Sequence, residues 1–107
     1  MREDLYRIVH TNPPTASDFL SLAALGRPRP THINLQEWAG ISVWDTRAAA
    51  VDTARKFPRH GSWIARLDLT GTAMPIQQTY GVGHYTAWGD PVDFLPFVVT
   101  VTHREEA

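Results

Sequence analysis

The chain has 107 residues, 43% of them hydrophobic and 20% charged, and a formal net charge of −1. That length makes one domain, 1–107, with a core able to fold by packing and room for one surface cleft. The missing cysteines exclude disulfides, thiol nucleophiles and cysteine zinc sites, and the near-neutral balance argues against nucleic acid as a partner.

A local basic patch built from Arg27, Arg29, Arg55, Lys56 and Arg59 stays open. No apolar run reaches the ~20 residues of a membrane span. The N-terminal MREDLYR lacks a signal peptide's hydrophobic centre, so the expectation is a cytoplasmic protein with no membrane partner.

LYRIVH (5–10) alternates apolar and polar residues and runs into TNPP, which reads as a first strand ended by a turn. In PPTASDFLSLAALG, Thr15 and Asp18 have the spacing of a capping pair. Phe19, Leu22 and Ala23 share a helical face, and Gly26 suits the left-handed end of a helix. Residues 26–38 read as a loop closing on a helical turn at Leu35–Trp38.

GISVWDT (40–46) is a short strand. Asp45 or Thr46 then caps a helix over Arg47–Phe57, whose buried stripe is Ala50, Val51, Ala54 and Phe57, and Pro58 stops it. In SWIARLDLTG, Trp63, Ala65, Leu67 and Leu69 point one way and Arg66, Asp68 and Thr70 the other. PIQQTY (75–80) and HYTAW (84–88) are further strands, and GDPVDFLP makes a turn or single helical turn. FVVTVTH (97–103) reads as a final strand inside the sheet, followed by a solvated tail, REEA. The expected class is α+β: two helices early in the chain, packed on a mostly antiparallel sheet that could be split.

Gly81-Val82-Gly83 is not a phosphate-binding loop. Such loops need a helix N-terminus immediately after them, and a strand-like segment follows here, so the glycines serve positive φ in a connection. The five histidines (His10, His32, His60, His84, His103) lack the spacing of metal ligands, and no metal is expected. Ser42 has no Gly-x-Ser-x-Gly setting for a nucleophile. Trp44 and Trp88 stand at strand ends beside Asp45 and Asp90; they either pack on the core or line a flat cleft for a nucleotide or nicotinamide ring.

Taken in order, LYRIVH, WAGISVWDTRAAAVDTARKF and GHYTAWGDPVDFLPFVV resemble the three signature segments of the ADP-ribosyltransferase superfamily. The nearest likenesses are the poly(ADP-ribose) polymerase catalytic core and the small bacterial RES-type toxins that consume NAD. The resemblance touches about half of the chain and implies NAD as substrate, cleaved or used for transfer at its glycosidic bond. It implies Arg7 or His10 as the first-strand residue that anchors ribose or phosphate. Ser42 or Trp44 becomes the second-strand nicotinamide contact, with Tyr85 a further stacking residue. His84 and Asp90 fall where the superfamily polarises the ribose.

The glutamate of the third motif is replaced by His84, which supplies no negative charge to an oxocarbenium-like centre, a term worth several kcal/mol. The alternative expectation is therefore a non-catalytic module that binds a nucleotide or a protein segment, as an accessory of a bacterial toxin or defence system.

Overall fold

The apolar–polar alternation that begins at Leu5 places β1 (Asp4–Val9) in the middle of a six-stranded antiparallel sheet. The computed structural model describes residues 4–79 and 81–106; Tyr80 of the expected fourth strand and Ala107 of the expected tail lie outside them. The remaining strands are β2 (Ile41–Trp44), β3 (Trp63–Asp68), β4 (Ile76–Gln78), β5 (His84–Ala87) and β6 (Val98–His103), in the order β4-β5-β2-β1-β3-β6. β1 pairs with β3 along its whole length but meets β2 in register only at Tyr6–Trp44. The sheet is thus nearly divided between β1 and β2.

Side chains alternate between the two faces of a strand, so the pairings sort every residue. The first face carries Leu5, Val9, Ile41, Val43, Ala65, Leu67 and Ala87, buried together with Phe19 and Phe94. Those two rings stack with centroids 5.5 Å apart. They come from a 3₁₀ turn at Ala16–Phe19 and from α3 (Pro91–Phe94), which cover this face. Side chains buried this fully stabilise the fold by about 1.5–3 kcal/mol each relative to exposure.

The second face carries Ile8 and Ile64 beneath Ala50, Val51 and Ala54 of α2 (Arg47–Lys56). The Thr46 hydroxyl caps that helix by accepting from Ala49 N–H at 3.2 Å. A third helical element, α1 (Leu35–Trp38), is a single turn closed by the Asn34–Glu37 capping box.

Three expectations need correction. The first expected helix is only the 3₁₀ turn and one further turn at 21–26, because its capping acid is diverted. Asp18 bonds not just Thr15 N–H at 2.9 Å but also His10 N–H at 2.8 Å and the Thr11 hydroxyl at 2.6 Å. That ties the segment to the end of β1 instead of starting a helix, although Gly26 does adopt positive φ. Phe57 falls beyond the last residue of α2, is 52% exposed, and stacks on His60 at 5.4 Å.

Third, β6 lies at an edge. Alternation reports one buried face and says nothing of whether both flanks are paired. The edge is blunted by a bulge between Arg66 and Leu67 and by Arg47, which donates to the Thr102 hydroxyl (3.1 Å) and the His103 carbonyl (2.9 Å).

Candidate functional site

The pairings Tyr6–Trp44 and Trp44–His84 line three ring-bearing side chains across β1, β2 and β5 on the second face. Ser42, paired with Thr86, lies beside them on the same face. α2 covers the row only in part, so Tyr6, Ser42 and Trp44 are half-buried while His84 and Thr86 are buried. Trp44 meets the His84 ring edge-on at 5.3 Å. Arg66 faces out beside Tyr6 and pairs with Asp4 at 3.4 Å.

The two sides of this surface differ in what they leave unspent. Within the described residues, the Tyr6 hydroxyl, the Ser42 hydroxyl and the Trp44 indole N–H make no hydrogen bond to protein. His84, in contrast, is tied back. Its Nδ1 lies 2.9 Å from the Thr79 hydroxyl and 3.2 Å from the Thr79 carbonyl, and the Thr79 hydroxyl is 2.8 Å from that of Thr86. A carbonyl only accepts, so the contact with the Thr79 carbonyl is a hydrogen bond in the tautomer that carries its proton on Nδ1.

Burial holds the His84 pKa below the ordinary histidine value, against the opposing pull of its bond to Thr79 and of Glu37. A lowered base costs the fold nothing while it is neutral. Its contribution is intact above the unfolded value of ~6.5 and is lost as the pH falls toward the folded one. The urea midpoint is expected to drop as the pH falls below about 6.5, and to drop less in His84→Gln. Equal pH dependence in both proteins contradicts this assignment.

The residues singled out from the sequence do not form one cleft. Ser42, Trp44 and His84 converge on the second face. Arg7 and Tyr85 project from the first, opposite Ala65 and Val43. Tyr85 packs half-buried against the first core.

Arg7 fills the gap between β1 and β2. Its Nη1 donates to the Ser42 carbonyl at 2.9 Å and its Nε to the Asp18 carbonyl at 3.1 Å. Burial pulls its pKa down to about 10, with Asp18 opposing. His10 is exposed at the end of β1. Asp90 is the residue before α3, makes no side-chain capping bond to it, and lines an open depression of about 850 Å³ with Met74, Trp88, Asp93 and Phe97. α3 packs on the first face, so Asp90 is not a partner of His84, because the sheet separates them.

Tyr6 was not singled out from the sequence. Its signal was present in the even spacing that sets it two residues before the apolar Ile8, on the face opposite Leu5. Trp88 points its indole N–H away from the row, onto the Gln36 carbonyl at 2.7 Å. Gly81 and Gly83 do take positive φ, +80° and +84°, in the connection before β5.

Among the described residues no three His, Asp or Glu side chains group as metal ligands, and no helix is long and apolar enough to cross a membrane. Compared with protein-family models, curated proteins and solved structures, the chain matches none.

Proposed function

We propose that this domain binds NAD or a closely related nucleotide on the Tyr6–Trp44–His84 row, with the nicotinamide or adenine ring stacked on Trp44. One observation carries the reading. Residues distant in sequence meet on one half-covered surface that offers two aromatic rings and three unspent hydrogen-bond donors. Ring stacking of a base on an aromatic side chain contributes ~1–3 kcal/mol, and donors at its edge fix its orientation. The likeness of the three sequence segments to the ADP-ribosyltransferase superfamily supports NAD over other nucleotides.

Between cleavage and binding alone, the geometry favours binding. Cleavage of the glycosidic bond needs negative charge at the ribose, and His84 stands where the third motif of the superfamily has its glutamate. Asp90 and Arg7 lie on the other side of the sheet. The domain is thus read as a non-catalytic, ADP-ribosyltransferase-like nucleotide module.

Incubation with NAD, following nicotinamide release and thermal unfolding together, tests this. Stabilisation of about 2.7 kcal/mol at a hundredfold excess over Kd, without release, is the expected result. Release that disappears in His84→Ala makes the domain an enzyme. No stabilisation at millimolar NAD refutes the reading.

A further inference from the structure

The open depression beside α3 is walled by three segments that meet at the border of the first core. Met74 and Pro75 come from ahead of β4, Trp88 and Asp90 from beyond β5, and Asp93 and Phe97 from α3 and the turn after it. Met74 and Phe97 pack against the core. Trp88 is fixed from two directions: its backbone N–H donates to the Pro75 carbonyl at 3.0 Å and its indole N–H to the Gln36 carbonyl at 2.7 Å. A Cβ at Gly89 would lie 3.2 Å from the Met74 sulfur and 3.5 Å from the Phe94 ring, so glycine leaves the thioether its place in the wall.

The charge in this depression is of one sign. Asp90 and Asp93 stand three residues apart on one helical turn, where Asp93 N–H donates to the Asp90 carbonyl at 2.9 Å. That spacing sets two like charges side by side. Both residues are exposed, and neither carboxylate makes a hydrogen bond or ion pair among the described residues. No Lys, Arg or His among the described residues lines the depression. Much of the remaining wall is aromatic ring, thioether and proline, with the Trp88 N–H already spent.

This combination selects among cations. A hard metal ion takes six or so oxygen ligands, and no third acidic or imidazole group joins the two carboxylates among the described residues. A quaternary ammonium has no N–H to satisfy. It is held instead by aromatic rings, with negative charge close by. We propose that the depression binds a small quaternary ammonium compound, its methyl groups among Met74, Trp88 and Phe97 and its charge toward Asp90 and Asp93. The site lies on the other side of the sheet from the Tyr6–Trp44–His84 row and does not require that row to bind a nucleotide.

Choline chloride is the probe. Two comparisons accompany it: the uncharged isostere with a quaternary carbon in place of the nitrogen, and the primary ammonium ethanolamine. Ionic strength is held constant with sodium chloride while the tryptophan indole and methionine methyl resonances are followed by NMR. Choline should shift Trp88 and Met74 saturably, with a millimolar Kd, and leave Trp44 in place. The isostere and ethanolamine should each bind at least about tenfold more weakly. Asp90→Asn and Asp93→Asn, both at exposed positions, should fold and should each weaken choline about threefold, the effect of one exposed charge. Phe97→Leu keeps the apolar wall without the ring and should weaken it by about the same factor. Shifts that never saturate, an isostere or ethanolamine that binds as tightly as choline, or unchanged affinity in both aspartate variants would overturn the site. Choline binding in a protein that NAD fails to stabilise would leave this site intact and refute the nucleotide row.

Discussion

Replacing Arg7 by methionine is expected to lower the stability of the domain by about 3–5 kcal/mol, the loss of two part-buried hydrogen bonds from a charged group. The guanidinium occupies the seam where β1 and β2 share only the Tyr6–Trp44 pair, and it donates to two backbone carbonyls, Ser42 of β2 and Asp18 of the 3₁₀ turn. Methionine fills the space but donates nothing. The Ser42 and Asp18 carbonyls then lose their partners at about 1–3 kcal/mol each, and the Asp18 carboxylate loses a favourable charge. For a chain of this size the change corresponds to a fall in Tm of roughly 15–25 °C. Lysine keeps the charge but not the planar fork, and Arg7→Lys should recover only part of the loss. Urea unfolding of the three proteins decides the matter. A methionine variant within about 0.5 kcal/mol of wild type would mean that Arg7 is held for a ligand and not for the sheet.

Asp18→Ala is expected to cost about 3 kcal/mol by removing an acceptor shared by three donors. Its effect is more local than that of Arg7, because the stranded groups lie close to solvent. What it releases is the segment 10–19 from the end of β1, and with it the seating of Phe19 against Phe94. The pH dependence identifies the mechanism. Burial pushes the Asp18 carboxyl up, but the hydrogen bonds from Thr11, Thr15 and His10 outweigh it and leave the pKa below the usual carboxylate value. A carboxyl lowered in the fold stabilises fully above its unfolded value of ~3.9 and loses that contribution as the pH falls through the folded one. Wild type should therefore lose stability in that acid range, and Asp18→Ala should lose less. Parallel acid curves for the two proteins would place the effect in packing and not in the charge.

These two residues also show where sequence reading stops. The alternation in LYRIV and WIARLDL, the stripe on α2 and the turn at Leu35–Trp38 were legible because each is a local pattern with its own period. Asp18 was legible as a capping residue, yet its other two partners come from the end of β1 and change what it does. A spacing rule sees only the neighbours along the chain.

Arg7 read as a ligand contact because a lone arginine in a strand has no evident partner in sequence. The seam that employs it exists only once β1 and β2 are placed side by side. The same applies to the proposed row. Ser42, Trp44 and His84 were singled out one at a time, whereas Tyr6 joined them through register. The parity of residues along β1 and β5 then put Arg7 and Tyr85 on the opposite face. The edge position of β6 was illegible for a simpler reason: hydrophobic alternation encodes faces, not neighbours.

If His84 is held neutral by burial and Trp44 is the stacking ring, a ligand should be felt at those two side chains before any others. The chain has four tryptophans, at 38, 44, 63 and 88, so their indole N–H resonances serve as four internal reporters. Trp63 packs against the first core and meets His103 edge-on at 5.2 Å, which makes it the control on the opposite face. NMR titration with NAD is predicted to move the Trp44 indole and the His84 ring saturably while Trp63 stays in place, and Trp44→Ala should weaken binding by about tenfold or more. Movement of Trp63 or Trp88 with Trp44 unmoved, or no saturable shift at any of the four, would contradict a nucleotide site on this face.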